Sequence, residues 1–280
     1  MSGTLYLVGT PIGNLDDFSP RAKETLETVD FIAAEDTRVT LKLMNRFDIR
    51  RPLISYYEHN KTESAAVIIP RLLAGESCAL VTDAGMPAIS DPGEDLVRQC
   101  AENGIPVAAV PGPSAVVTAL AMSGLPTQRF TFEGFLSTAS KPRKEHLATL
   151  KDEHRTMVIY EAPHKLTETL RDLLDTLGDR KVSLCRELTK IHEEVWRTTL
   201  SEALAKYENE RPRGEFVLVV EGKPQPKGPR MSLEEALAIA ERHRSEGKSL
   251  KEAAKLAAVE TGQSRNDIYH ACLIRGKEEE

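Results

Sequence analysis

The sequence predicts an α/β fold, built as two successive α/β domains and closed by a small helical C-terminal extension. Three observations carry this. Short apolar runs rich in β-branched residues alternate with helical patterns along most of the 280 residues. Several runs end in Gly/Pro-rich loops that lead straight into a helix, as the strands of a parallel sheet do. A Pro-rich stretch then separates off a last segment that reads as helix almost throughout.

Taken in order, Leu5–Gly9 reads as the first strand, followed by a Gly/Pro/Asn loop. Ser19-Pro20 opens a helix well, because Ser caps free backbone N–H groups and Pro suits the first helical position. Phe31–Ala34 is a second strand, with a helix around Val39–Phe47 behind it. Cys78–Thr82 is a buried-type strand ending at Asp83, and Val107–Val110 is another that runs into Pro111-Gly-Pro-Ser114 and an apolar helix, Ala115–Met122. From Arg129 the pattern restarts, with strands at Arg129–Phe132, Met157–Tyr160, Val182–Cys185 and Phe216–Val220. Helices are expected between them near Lys144–Leu150, Lys165–Leu177 and Ser201–Glu208, and the second sheet has room for mixed strand directions. The predicted boundaries are 1–123 and 124–222 for the two α/β domains, 223–230 for a linker and 231–280 for the helical extension. In the linker, three prolines in six residues exclude helix or central strand. In the extension, Leu233–His243, Leu250–Val259 and Arg265–Leu273 are helices, the last two joined by Thr261-Gly262-Gln263 with Ser264 as cap, in a helix-turn-helix shape.

With 40% hydrophobic and 29% charged residues, the chain has apolar material for real cores. A net charge of −6 argues against coating nucleic acid by bulk electrostatics but leaves local basic patches open. The N-terminus lacks the basic and apolar regions of a signal peptide, and no apolar run approaches the roughly 18 residues of a membrane span. Cys78, Cys100, Cys185 and Cys272 are scattered, so reduced thiols in the cytoplasm are expected rather than disulfides or a metal site.

Three loops at predicted strand ends stand where open α/β sheets hold ligands: Gly9–Asp16, Asp83–Gly93 and Pro111–Ala115. None is GxGxxG or GxxxxGK[ST], and none brings a Lys or Arg, which speaks against a nucleotide phosphate cradle. Small side chains beside a carboxylate suit a cationic or zwitterionic ligand instead.

These residues also carry a resemblance. Gly9–Leu15, Ala34-Glu-Asp-Thr-Arg38, Asp83–Gly93, Pro111–Ala115 and Ser123-Gly-Leu-Pro126, taken in order, resemble the signature blocks of the tetrapyrrole methylase superfamily. Met157–His164 and Cys185–Lys190 fit its ribosomal RNA branch, which 2′-O-methylates a cytidine in the decoding region of 16S rRNA. The resemblance covers about residues 3–222. It implies a two-domain fold of that type, S-adenosyl-L-methionine in the cleft between domains, and a homodimer acting on 16S rRNA within the 30S subunit; neither DNA nor a membrane is an expected partner. Position by position, it gives Pro11, Asp83, Ala84, Gly85, Ile89, Ser114, Ala115 and Glu161 as cofactor contacts. The second loop reads Ala-Gly-Met-Pro where the superfamily more often has Gly-Asp-Pro, a departure that agrees with the RNA branch and weakens a porphyrin substrate.

Methyl transfer to oxygen depends first on in-line positioning, which can supply roughly 7–11 kcal/mol, while a base for the hydroxyl proton adds about 10²–10⁴-fold. No metal is expected. Glu35 and Asp36 are the sequence's candidates for base or substrate orientation, Arg38 for a backbone phosphate and Asn14 for ribose or base. The same block also reads as a plain helix start, with Asp36 or Thr37 as cap and Glu35 paired with Arg38. His59, His164 and Lys165 read as surface or capping residues before ligand contacts. Two basic clusters are offered to RNA: Lys141-Pro-Arg-Lys144 with His146, and Arg180-Lys181 with Arg186 and Lys190. Competing readings are a small-molecule methyltransferase of the same fold, a helix-turn-helix regulator with an effector site, and a metal-dependent phosphohydrolase using Glu35, Asp36, Asp83 and Asp91.

Overall fold

The structure, a computed structural model, describes residues 2–224 and 231–278. The core of the expected linker, 225–230, and the last two residues lie outside them. Contacts divide the chain into two compact units, Met1–Lys223 and Pro224–Glu280.

The first unit opens with β1 (Leu5–Val8), α1 (Pro20–Thr28), β2 (Phe31–Ala34), α2 (Thr37–Arg46), β3 (Leu53–Ser55) and α3 (Lys61–Leu73). It continues with β4 (Cys78–Val81), α4 (Glu94–Glu102), β5 (Val107–Val110) and α5 (Ala115–Ser123). Ser19 caps α1 as expected, accepting from the Ala22 N–H, with Pro20 behind it. The five strands form one sheet in the order β3-β2-β4-β1-β5, every pairing parallel. Such a sheet is covered on both faces, and its strands are apolar accordingly: all four residues of β2 and of β4 are buried. The chain leaves β1 toward β2 on one side and leaves β4 toward β5 on the other. Neighbouring strands whose connections depart in opposite directions leave a crevice at their C-terminal ends.

A second sheet follows in the same unit, from β6 (Phe130–Phe135), α6 (Ser140–Leu150), β7 (Thr156–Glu161), α7 (Leu166–Leu177), β8 (Lys181–Arg186), β9 (Glu194–Thr199), α8 (Leu200–Asn209) and β10 (Phe216–Val220). Its order is β6-β7-β10-β8-β9, and only β6 and β7 run parallel. The sheet is therefore mixed. Helix α5 explains why the two sheets hold together. Its Val116, Ala119 and Leu120 are buried with Val158, Cys185, Val217 and Val219 of the second sheet. Four elements occur where the sequence pattern assigned none: β3, α3, α4 and β9.

The second unit contains α9 (Leu233–Ser245), α10 (Leu250–Thr261) and α11 (Arg265–Glu278). Ser232 with Glu235 and Ser249 with Glu252 form reciprocal capping boxes at the first two. Gly262, at φ 68°, ends α10 in the left-handed conformation. A small core of alanines from α9 and α10 closes on Ile268 and Cys272 of α11, so the middle of that helix is occupied by packing. No described helix is long and apolar enough to cross a membrane.

Candidate active site

The three Gly/Pro loops meet at the crevice. Gly9 and Gly112 touch through their backbones: a Cβ on Gly9 would lie 2.6 Å from the Gly112 Cα, so neither position accepts a side chain. Thr10 and Gly85 exchange backbone bonds of 2.9 and 3.1 Å, and the Thr10 hydroxyl donates to the Thr82 carbonyl at 3.1 Å. The second loop is held in uncommon backbone conformations, with Ala88 at φ 67° and Ser90 at φ 62°.

Between these loops and the ends of β7, β8 and β10 lies a cleft of about 450 Å³. Seven of the eight residues expected to hold a cofactor line it: Asp83, Ala84, Gly85, Ile89, Ser114, Ala115 and Glu161. The eighth, Pro11, stands beside Ile12, which does line it. Of the residues expected to act on substrate, Glu35 reaches the cleft; Asn14, Asp36 and Arg38 are not among its lining residues.

The carboxylates at the first sheet's edge are cross-tied. The Asp36 N–H donates to Asp83 Oδ1 at 3.2 Å, and the Asp83 N–H donates to Glu35 Oε2 at 3.4 Å. Burial, with the neighbouring acid charges added, raises both Glu35 and Asp83 above the ordinary carboxylate range. Asp91, a third carboxylate in the same wall, is pushed up to about 7, by burial first and then by the charges of Glu35 and Asp83. Asp36 behaves oppositely. It caps α2, accepts from the Arg38 N–H at 2.8 Å and pairs with the Arg38 guanidinium at 2.6 Å, which holds it down at about 2. The helix-start expectation is thus correct in kind, but Arg38 pairs with Asp36 and not with Glu35; its side chain is 87% exposed. Asn14 is also a cap: its side chain accepts from the Asp16 N–H, while its own N–H donates to Thr189 Oγ1 at 3.0 Å.

On the other wall, Glu161 is only 6% exposed and sits in a chain of side chains. It accepts from the Ala162 N–H at 2.8 Å and from the Thr169 hydroxyl; Thr169 in turn receives Arg143 at 2.8 Å, and Arg143 pairs with Asp172 at 2.7 Å. This corrects Arg143 in the first basic cluster, whose Lys141 and Lys144 stay exposed. Arg143 is 6% exposed and committed to the interior, and His146 is bonded to Glu133 at 2.9 Å. The second cluster fares similarly. Arg180 is buried and donates to the carbonyls of Lys151, Glu153, Leu177 and Glu221, while Arg186 and Lys190 are paired with acids.

The cleft suits a flat, positively charged ligand. Phe135 and Tyr160 line it with their rings 5.4 Å apart, Ile12, Met86 and Leu188 add apolar surface, and five carboxylates face it with no Lys or Arg among the lining residues. The N-terminus of α5 opens there through Ser114 and Ala115, and the Ser114 side chain makes no capping bond, so free N–H groups remain for a ligand's carboxylate. Among the described residues, no group of three or more His, Cys, Asp or Glu is set to hold a metal ion. Asp91, Tyr160, Phe135 and the Glu215–Val217 strand start were not singled out from sequence as cofactor contacts. Two of them were within reach of it, since Asp91 stands in the second loop and Tyr160 precedes Glu161.

The model of the tetrapyrrole (corrin/porphyrin) methylases matches residues 4–204. The chain belongs to that family. Within the tetrapyrrole methylases its curated relatives are named ribosomal RNA small subunit methyltransferase I. The relative from Synechocystis sp. is 47% identical over 97% of this chain and 98% of its own length. That from Bacillus subtilis is 45% identical over 98% of this chain and 95% of its own. The Thermotoga maritima relative is 49% identical over 221 residues, which is 99% of it but 79% of this chain. Solved structures agree in fold. Diphthine synthase superimposes with a TM-score of 0.60 at 15% identity, covering 79% of this chain and 90% of that one. A Thermus thermophilus uroporphyrin-III C-methyltransferase, solved with S-adenosylhomocysteine, gives 0.54 at 19% identity, covering 78% and 97%.

Proposed function

We propose that this chain transfers a methyl group to the 2′-hydroxyl of a cytidine in the decoding region of 16S rRNA, acting on the 30S subunit in the cytoplasm as a homodimer. The coarser statement, an S-adenosylmethionine-dependent methyltransferase of ribosomal RNA, rests on the family and on relatives similar over nearly the full length. When bound, S-adenosylmethionine supplies a methyl group on a positively charged sulfonium. The observation that supports its use here is the cleft itself: apolar walls, a ring of carboxylates and no basic side chain, at the switch point of a parallel sheet.

In this reading Asp83, Ala84, Gly85, Ile89, Ser114, Ala115 and Glu161 hold the cofactor, and Pro11, next to the lining residue Ile12, contacts it from the first loop. Glu35 orients the acceptor at the cleft wall, and Asp36, Arg38 and Asn14 lie outside it, where the exposed Arg38 is placed for a phosphate of the RNA backbone. The finer terms (cytidine, 2′-oxygen, decoding region) are inherited from the resemblance to the ribosomal RNA branch that the quoted blocks carry, Met157–His164 and Cys185–Lys190 among them.

The test is transfer of labelled methyl to 30S subunits that lack the modification, with free 16S rRNA, 50S subunits and a porphyrin precursor as parallel acceptors. Label mapped to a 2′-O-methyl cytidine, and lost in Asp83→Ala together with cofactor binding, is the expected result. Label confined to the porphyrin precursor keeps the fold and discards the RNA substrate. No label and no cofactor heat in calorimetry discards the activity.

A further inference from the structure

Two cavities share one wall. Beside the cleft lies an open hollow of about 540 Å³, and Glu35, Ser90 and Asp91 line both. On the hollow's other sides stand Tyr57, Glu58 and Glu94. Tyr57 is 40% exposed, and its ring meets that of His59 edge-on at 6.3 Å.

We propose that Asp91 accepts the proton of the acceptor ribose hydroxyl, and that the acceptor nucleoside reaches it through this hollow with its base against Tyr57. The inference rests on the RNA methyltransferase reading above and assigns the step that reading leaves open. Three carboxylates stand at this end of the cleft, and they differ in the hydrogen bonds they accept. Glu35 and Asp83 each accept a backbone N–H, whereas among the described residues no hydrogen bond reaches the Asp91 carboxylate. A general base needs a lone pair within reach of the proton, and of the two carboxylates that line both cavities, Glu35 already takes a backbone N–H on Oε2 while both Asp91 oxygens are without a donor among the described residues. Its ionisation near neutrality follows from burial first and then from the charges of Glu35 and Asp83 at the sheet edge; Tyr160 of β7 also lines the cleft, and Glu58 and Glu94 stand across the hollow, where the Lys61 ammonium is bound up with Glu58 and Asp95.

The hollow's chemistry also selects its occupant. Its charged lining is made of carboxylates, which repel a phosphate and can only accept hydrogen bonds. It therefore suits a neutral nucleoside whose base carries an exocyclic amine, and an aromatic ring is a sequence-tolerant platform for any base. In the step, the hydroxyl oxygen forms the new bond to the methyl carbon while that carbon's bond to sulfur breaks and its electron pair returns to sulfur. The hydroxyl proton passes to Asp91, leaving a methyl ether, a neutral thioether and a protonated carboxyl.

The experiment uses the full chain and unmodified 30S subunits. Asp91→Asn should lower kcat by about 10²-fold or more while the cofactor Kd from calorimetry changes by no more than about twofold. The wild-type kcat should fall toward acid pH through a limb near pH 7, and that limb should vanish in Asp91→Asn. Tyr57→Ala should weaken subunit retention on filters, measured with S-adenosylhomocysteine and no turnover, by about tenfold, and Tyr57→Phe should restore it. A flat wild-type profile between pH 6 and 8, an Asp91→Asn enzyme that keeps its kcat, or one that loses cofactor affinity in step with rate, overturns the assignment of Asp91. Unchanged subunit retention in Tyr57→Ala overturns the route through the hollow. A wild type that labels no ribosomal RNA fails the underlying reading and takes this one with it, so the two failures differ.

Discussion

On the parallel sheet's side of the cleft, carboxylates hang from loops that are gripped through the backbone. On the mixed sheet's side the buried carboxylate, Glu161, ends a strand and is held by side chains. The first arrangement depends on Gly9 against Gly112, the Thr10–Gly85 bridge and the positive φ angles of Ala88 and Ser90. The second depends on the run Asp172–Arg143–Thr169–Glu161. Backbone-held loops can leave a carboxylate unpaired, and Asp91 is the result; a side-chain network leaves none of its members free. The proposed base stands on the first side, and the side-chain network on the second.

The sharpest way to break this comparison is at the glycine contact. Gly9→Val puts a branched side chain where the backbone of Gly112 already sits, 2.6 Å from the first added carbon. Loops 9–16 and 111–115 must then part, at a cost of about 3 kcal/mol or more. Cofactor binding by calorimetry should be lost, and the melting midpoint should drop. Intact binding would mean the loops are not held by this contact.

A smaller effect is expected from the second wall. Arg143→Met removes the cation from a largely buried pair and leaves Asp172 and Thr169 without their partner. Complete burial would put the loss at roughly 3–5 kcal/mol, and because the Asp172 side chain is 34% exposed, about 2 kcal/mol is expected. Chemical denaturation checks the stability. The cofactor Kd should rise by less than about tenfold, because Glu161 keeps its own backbone bond. A Kd change that far exceeds the stability change would place Arg143 nearer the ligand than the network implies.

How far sequence reaches follows the same division. The strand–loop–helix blocks, the Ser19-Pro20 start, the Ser264 cap and the Gly262 turn are legible because local backbone chemistry decides them. The loops that line the cleft were legible for the same reason. Apart from the helices α3 and α4, what escaped depends on distant partners. Strand β3 is three half-buried residues whose state is set by pairing with β2, and β9 is an edge strand defined by β8. Arg143 and Arg180 look like surface charge in a basic run, and only the fold shows them turned inward onto Asp172 and onto four carbonyls. Asp91 was visible as a loop acid, but its lack of a partner is a property of the assembled wall.

The subtlest test concerns stability alone. An unfolded Asp titrates near 3.8, whereas Asp91 in the folded chain titrates near 7, so between those values the folded state holds a proton that the unfolded state releases. The folded state's burden is therefore absent below about pH 4 and grows as pH rises through that window. Asp36 has the opposite sign: held down near 2 by Arg38, it favours the folded state above its unfolded value and loses that contribution as pH falls from about 4 to 2. Asp91→Asn should thus match the parent at pH 4 and exceed it at pH 8 by about 1–2 kcal/mol, a shift discounted for the solvent that reaches the cleft. A melting midpoint raised by about 4 °C at pH 8 is the expected reading, with Asp36→Asn unable to reproduce it. A variant that gains stability where it loses turnover marks a carboxylate kept for chemistry at the fold's expense. Equal midpoints at both pH values would mean that Asp91 is as well accommodated as any surface acid, and the contrast between the two walls would rest on geometry alone.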